Sequence, residues 1–237
     1  MPASSRYAVY YAPEPQSPLW RFGCETLGYD AVTGTDCPTW QPPDMTPQAW
    51  AAATEDPRSY GFHATLKAPF RLAEGRHESE LLAFLAGFGR RHAAVRPVKC
   101  EIDVVAPSPN GGFVALTPAG PASDQPFAIL ERAVVEEFDV FRAPLTPGDI
   151  ARRNPARLSS RQRTYLDHWG YPCVLEEFAF HMSLTGRLAD PEPVAAALRQ
   201  RAQAAGAAGP VTVDRLALFR QDPGERFRIV AVCALSG

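Results

Sequence analysis

Ser59-Tyr60-Gly61-Phe62-His63-Ala64-Thr65-Leu66-Lys67 and Glu177-Phe178-Ala179-Phe180-His181-Met182-Ser183-Leu184-Thr185 decide the reading of this 237-residue chain, because they carry one pattern twice. In each, apolar residues alternate with small or polar ones, the two-residue period of a strand. Phe62, Ala64 and Leu66 make an apolar face suited to a core, while Gly61, His63, Thr65 and Lys67 share the other. The second segment sets Phe180, Met182 and Leu184 against Ala179, His181, Ser183, Thr185 and Arg187. A strand buried on both faces does not normally carry such a polar row.

Outward from each motif the chain runs the same course. After the first, Leu81, Leu82, Leu85 and Phe88 recur at helical spacing and predict a helix over 77–94. Strands are expected at 98–106 and 112–117, joined by the turn Pro107-Ser108-Pro109-Asn110-Gly111-Gly112. After the second motif a helix is expected at 191–205, then strands at 211–219 and 227–235 around Gln221-Asp222-Pro223-Gly224-Glu225. Strand, helix and hairpin thus occur twice, which predicts two related lobes, each an antiparallel sheet backed by helices. The first lobe holds about 50–125 and the second about 170–237, within one domain spanning 1–237. A strand at 7–11, short helices at 20–27 and 47–54, a loop rich in Pro, Thr and Asp at 33–47, and helices at 126–138 and 159–169 complete them.

Composition narrows the function classes. A net charge of −2 provides no global field for a long nucleic acid. A small anionic substrate in a local basic cleft remains open. Lysine occurs only at Lys67 and Lys99, and five arginines (Arg152, Arg153, Arg157, Arg161, Arg163) crowd the second middle segment. Cys24, Cys37, Cys100, Cys173 and Cys233 are scattered, odd in number and never in a C-x-x-C pair, which argues against disulfides and structural zinc. The opening MPASSRYAVYYAPEP lacks the apolar run of a signal peptide, and no stretch nears the roughly 20 apolar residues of a membrane span. A cytoplasmic protein is expected.

A histidine followed two residues later by a hydroxyl, twice, fits acid–base chemistry on a phosphate ester. Unperturbed imidazole titrates near about 6.5, so a pair can hold one neutral and one protonated ring at neutral pH. One ring removes a proton and the other donates one, help worth roughly 10²–10⁴-fold in rate. Thr65 and Ser183 can donate hydrogen bonds to phosphoryl oxygens, and Lys67 or Arg187 can balance their charge. The scheme needs no metal and no cofactor, and no H-E-x-x-H pattern or carboxylate cluster suggests one.

The paired segments FHATL and FHMSL resemble the signatures of the two-histidine (2H) phosphoesterase superfamily, which includes 2′-5′ RNA ligase-like proteins and cyclic nucleotide phosphodiesterases. The resemblance runs from YAVYY to the last hairpin. It implies an α+β, bilobal, pseudo-twofold fold with two antiparallel sheets flanking a central cleft and helices outside. It also implies that His63 and His181 are the catalytic pair and that Thr65 and Ser183 bind phosphate. Ser183 stands where many relatives have threonine and keeps the hydroxyl. More narrowly, YGFHATLKAPF, WGYP and FAFHMSLTGRL are similar to a bacterial subfamily labelled for phosphonate metabolism, which implies a small phosphorylated sugar or nucleotide as substrate.

The expected function is therefore a metal-independent hydrolase of the cyclic phosphodiesterase type, opening a cyclic phosphate or cleaving a small phosphodiester. The alternatives are an RNA-end-processing enzyme of the same chemistry and a non-catalytic binder of phosphorylated metabolites. Tyr60 and Thr185 are further candidate substrate contacts. Lys67 reads equally as a contact or as a solvated strand end. Tyr7, Val9 and Tyr11 share a strand face with Tyr10 on the other, and which tyrosine lines the cleft stays open. The arginine cluster reads first as a solvated helix face, and second as a rim that recruits phosphate. His77, His92 and His168 lack the motif context, and oligomeric state is not readable.

Overall fold

A computed structural model describes residues 4–120 and 124–237. Residues 1–3 of the opening just discussed lie outside it. Ten strands and seven helices are present among the described residues: β1 (Arg6–Tyr11), α1 (Pro18–Leu27), β2 (Tyr29–Asp30), β3 (Thr35–Asp36), α2 (Pro47–Arg58), β4 (Ala64–Phe70), α3 (Glu78–Arg91), β5 (Val95–Ser108), β6 (Gly111–Pro118), α4 (Gln125–Phe138), α5 (Pro147–Arg152), α6 (Ser160–Trp169), β7 (Met182–Ser183), α7 (Glu192–Ala204), β8 (Pro210–Val213), β9 (Arg215–Gln221) and β10 (Arg228–Ala234). None of these helices is long and apolar enough to cross a membrane.

The α+β class holds, with every strand pair antiparallel. Where two sheets were expected, one eight-stranded sheet runs β10-β9-β1-β4-β7-β6-β5-β8, with β2–β3 apart. Its halves meet at a single paired position, Ala64↔Met182. The second motif was expected as a full strand but keeps only two strand residues. The Leu184 and Thr185 amides both turn to the Val114 carbonyl (2.9 and 3.2 Å), and the Thr185 hydroxyl oxygen accepts from the Val114 amide at 2.9 Å, so the ladder stops there. Each hairpin crosses to the other motif: β6 pairs with β7, and β9 lies beside β1, which pairs with β4.

The sheet has a thick face and a thin one. Leu81, Leu85 and Phe88 of α3, Phe127, Leu130 and Val134 of α4, and Leu198 of α7 bury Val9, Leu66, Leu116 and Leu218. Across β1 the smaller set Ala8, Tyr10 and Ala12 packs with Trp20, Tyr29, Phe219 and Phe227. Helix α1 adds Trp20 and Cys24 to this second side, and α2 packs against α1. The Trp50 indole donates to Thr26 O at 3.0 Å, the Arg58 guanidinium donates to Leu27 O at 2.6 Å, and the Gly186 amide donates to Ala53 O at 2.7 Å. That last bond ties the end of the second motif to the helix that leads into the first.

Phe62 is fully buried one residue before His63, and its ring fills a notch above Gly23 of α1, where a Cβ would lie 2.1 Å from ring carbons. An alanine in a helix ordinarily gains about 1 kcal/mol over glycine. Here Gly23→Ala is expected to lose about 1–3 kcal/mol through overpacking. Urea unfolding reads the sign, and a stabilised variant would contradict the notch.

Candidate active site

Both motif histidines are pinned in the same way. His63 Nδ1 lies 2.8 Å from Gly61 O, and His181 Nδ1 lies 2.8 Å from Ala179 O. A carbonyl can only accept, so each Nδ1 carries the proton and each Nε2 is left as an acceptor when the ring is neutral. Gly61 makes its contact at φ 80°, a left-handed backbone open to glycine, and a side chain there would meet Ala31 at 2.8 Å. Asp124 holds the other motif, accepting from the Phe180 amide at 3.1 Å.

The sheet brings the motifs together. One step either side of Ala64↔Met182 sets His63 across from Ser183 and Thr65 across from His181. All four line one cleft of about 360 Å³, with Tyr10, Asp56, Tyr60, Phe113, Arg153, Tyr171, Thr185 and Arg187. The volume suits a small molecule. His63 Nε2 is 3.2 Å from the Thr65 hydroxyl. The Tyr10 ring stacks on His63 at 3.8 Å between centroids, and Tyr60 stands 6.1 Å away, backed by Phe227. The His63 pKa is lowered to about 4, chiefly by burial and also by the nearby His181, against the bond to Gly61 O, which raises it. His63 is therefore neutral at pH 7.

The remaining sequence candidates divide. Tyr60 lines the cleft, and so does Thr185, although the hydroxyl of Thr185 serves the β6 backbone. Lys67 does not share the face of His63 and Thr65. Between Tyr10↔Thr65 and Val9↔Lys67, β4 spends two residues against one of β1, a bulge that turns Lys67 to the thick face. There its amine is 3% exposed and donates to Val135 O and Asp139, both at 2.9 Å. Arg187 reaches the cleft and donates to Gly111 O at 2.8 Å and Ser108 Oγ at 3.2 Å.

Sequence reasoning missed Tyr171 and Asp56, singled out Arg153 only as one of five clustered arginines read second as a phosphate-recruiting rim, and left the tyrosine of β1 open. Tyr10 is that tyrosine; small Ala8 and Ala12 flank it on its face, a signal that room was left there. Arg153 ends α5 just before Asn154 at φ 46°, and its guanidinium lies over the Tyr171 ring at 4.7 Å. That pairing joins segments 18 residues apart through a turn no spacing rule exposes. Among the described residues no group of three His, Cys, Asp or Glu is placed to hold a metal ion.

The chain matches the family described as "Protein of unknown function (DUF1045)" over residues 65–228 and belongs to it. It is 37% identical over 229 residues to a "Ribose 1,5-bisphosphate phosphokinase PhnN" of Janthinobacterium sp. (strain Marseille), covering 94% of this chain and 49% of that protein. It is 35% identical over 231 residues to a protein of the same name from Laribacter hongkongensis (strain HLHK9), covering 94% of this chain and 50% of that protein. The chain thus spans about half the length of these curated relatives. Their name overturns the expected cyclic phosphodiesterase-type hydrolase, together with its RNA-end-processing and non-catalytic alternatives, since a phosphokinase transfers a phosphoryl group between substrates. The physical reason is that a His and hydroxyl pattern reports groups able to move protons near a phosphate. It does not report which oxygen receives the phosphoryl group.

Two measurements test this geometry. Asp139 also pairs with Arg142 at 2.8 Å, so Lys67→Met strands no charge, whereas Asp139→Ala leaves Lys67 buried without its partner. Asp139→Ala is expected to cost about 3 kcal/mol in urea unfolding and Lys67→Met roughly 1 kcal/mol; equal costs would contradict the placement. His63 binds its proton near pH 4 when folded and near about 6.5 when unfolded. Stability should therefore fall as pH drops from about 6.5 to about 4. His63→Gln should flatten that slope, and an unchanged slope would place the ring elsewhere.

Proposed function

We propose that this DUF1045 chain handles a small phosphorylated sugar in phosphonate metabolism, and that its two-histidine cleft is the sugar-phosphate side of a phosphoryl transfer. The observation that carries this is one cleft lined by two Nδ1-anchored imidazoles, two motif hydroxyls, Arg153 and Arg187. Neither arginine has a carboxylate partner among the described residues, so both keep charge for an anion. The name of the relatives specifies a phosphorylated ribose as substrate, and that name together with the resemblance of Tyr60–Phe70 and Phe178–Leu188 supports the metabolic setting.

In this reading His63, neutral at pH 7, accepts at Nε2 the proton of the sugar-phosphate oxygen as that oxygen bonds to the donor's terminal phosphorus, and the bond from this phosphorus to the donor's bridging oxygen breaks, the donor leaving one phosphoryl group shorter. His181 faces the same phosphoryl group from the other motif. Thr65 and Ser183 donate to its oxygens, Arg153 and Arg187 balance its charge, and Tyr60, Tyr10 and Tyr171 wall the sugar. The sequence contains no G-x-x-x-x-G-K-[ST] stretch, so a nucleotide cradle of that type is not made by these residues. In this reading the cleft takes the acceptor sugar. The same reading takes the two strand–helix–hairpin runs as a pseudo-twofold duplication about Ala64↔Met182, which is why the two histidines are anchored alike.

Titration of the full chain with ribose 1,5-bisphosphate, followed by NMR of the five histidine Cε1–H signals, tests the site. The signals of His63 and His181 should move together, with His77, His92 and His168 unmoved. The double change Thr65→Val with Ser183→Ala should weaken binding about tenfold or more. Silence of both motif histidines at millimolar sugar would reject the reading.

A further inference from the structure

Beside the cleft lies a second hollow of about 200 Å³, lined by Arg6, Arg71, Arg142, Arg152 and Arg153 with the single carboxylate Asp149. Tyr60, Pro69 and Arg153 line both spaces. The charges in this hollow do not balance. Arg142 shares Asp139 with Lys67. Arg71, at 3.0 Å, and Arg152 share Asp149. Arg6 donates to the neutral Gln221 side chain and lies over the Phe227 ring at 5.3 Å, and Arg153 lies over Tyr171. Four guanidinium groups, those of Arg6, Arg71, Arg152 and Arg153, therefore face one carboxylate. Like charges gathered this way repel unless an anion joins them, and guanidinium forks match phosphate oxygens in pairs.

We propose that this hollow is a second phosphate site, so that the chain recognises a sugar phosphorylated at both ends. One phosphate lies between the histidine motifs and the other among Arg6, Arg71 and Arg152, with Arg153 standing between the two and the sugar passing Tyr60. This rests on the reading of the main cleft as a phosphosugar site. It adds the residues of the distal end and the reason a bisphosphate is preferred. Asp149 has a positioning role: its carboxylate caps α5 through the Thr146 amide at 3.0 Å while holding Arg71 and Arg152 at the rim.

Calorimetric titration of the full chain with ribose 5-phosphate and with ribose 1,5-bisphosphate decides it. Wild type should bind the bisphosphate at least about tenfold more tightly, and Arg6→Gln with Arg71→Gln should remove most of that preference. Should the double variant fail to fold, Arg152→Gln, at a side chain 64% exposed, should still cut the preference about threefold. Equal wild-type affinity for the two sugars, or a preference that survives these changes, overturns the second site and leaves the cleft reading standing. Binding of neither sugar overturns both.

Discussion

Two hydrogen bonds from imidazole Nδ1 to the backbone two residues upstream govern the candidate site. Each commits one ring nitrogen to the protein and turns the other toward the cleft. The surroundings maintain that commitment. Gly61 turns its carbonyl through a left-handed backbone, Phe62 locks the strand entrance into the Gly23 notch, and Asp124 holds the Phe180 amide. A ring free to flip would present either nitrogen to the cleft.

Burial and charge are separated around these rings. Tyr10 and Tyr60 shield His63 and make its charged form costly. The arginines that line the cleft, Arg153 and Arg187, are held by an aromatic face and by backbone carbonyls, with no carboxylate partner among the described residues. Lys67 is the opposite case. It is buried, its pKa is lowered by that burial, and Asp139 together with the Val135 carbonyl satisfies it. Burial alone would raise the Asp139 carboxyl, but hydrogen bonds from Arg142 and Lys67 hold it below its usual value. One lysine thus becomes a brace between β4 and α4, while the arginines remain at the site.

Much of the architecture was legible because periodicity reports burial. The first motif, the first hairpin and α3, α4 and α7 stand within a few residues of their expected places, and Phe62, Ala64, Leu66, Phe180, Met182 and Leu184 are all buried, whereas the strand expected at 211–219 is two, β8 pairing with β5 and β9 with β1 and β10. What failed were inferences that assumed perfect alternation. The bulge opposite Val9 and Tyr10 moved Lys67 to the other face, and the shared Val114 carbonyl cut the second motif strand short. Strand register depends on the neighbouring strand, so a pattern internal to one segment does not contain it.

The sequence by itself determined which groups are available: two histidines each followed by a hydroxyl, an apolar face beneath them, and too little excess charge for a long polyanion. It did so because side-chain chemistry and local period are properties of short segments. The tertiary structure alone decided that Tyr10, Arg153 and Tyr171 belong with those histidines, that Lys67 does not, and that the hairpins exchange neighbours to make one sheet. Those outcomes depend on contacts between residues far apart in the chain, set by packing and pairing energies that no short window of sequence records.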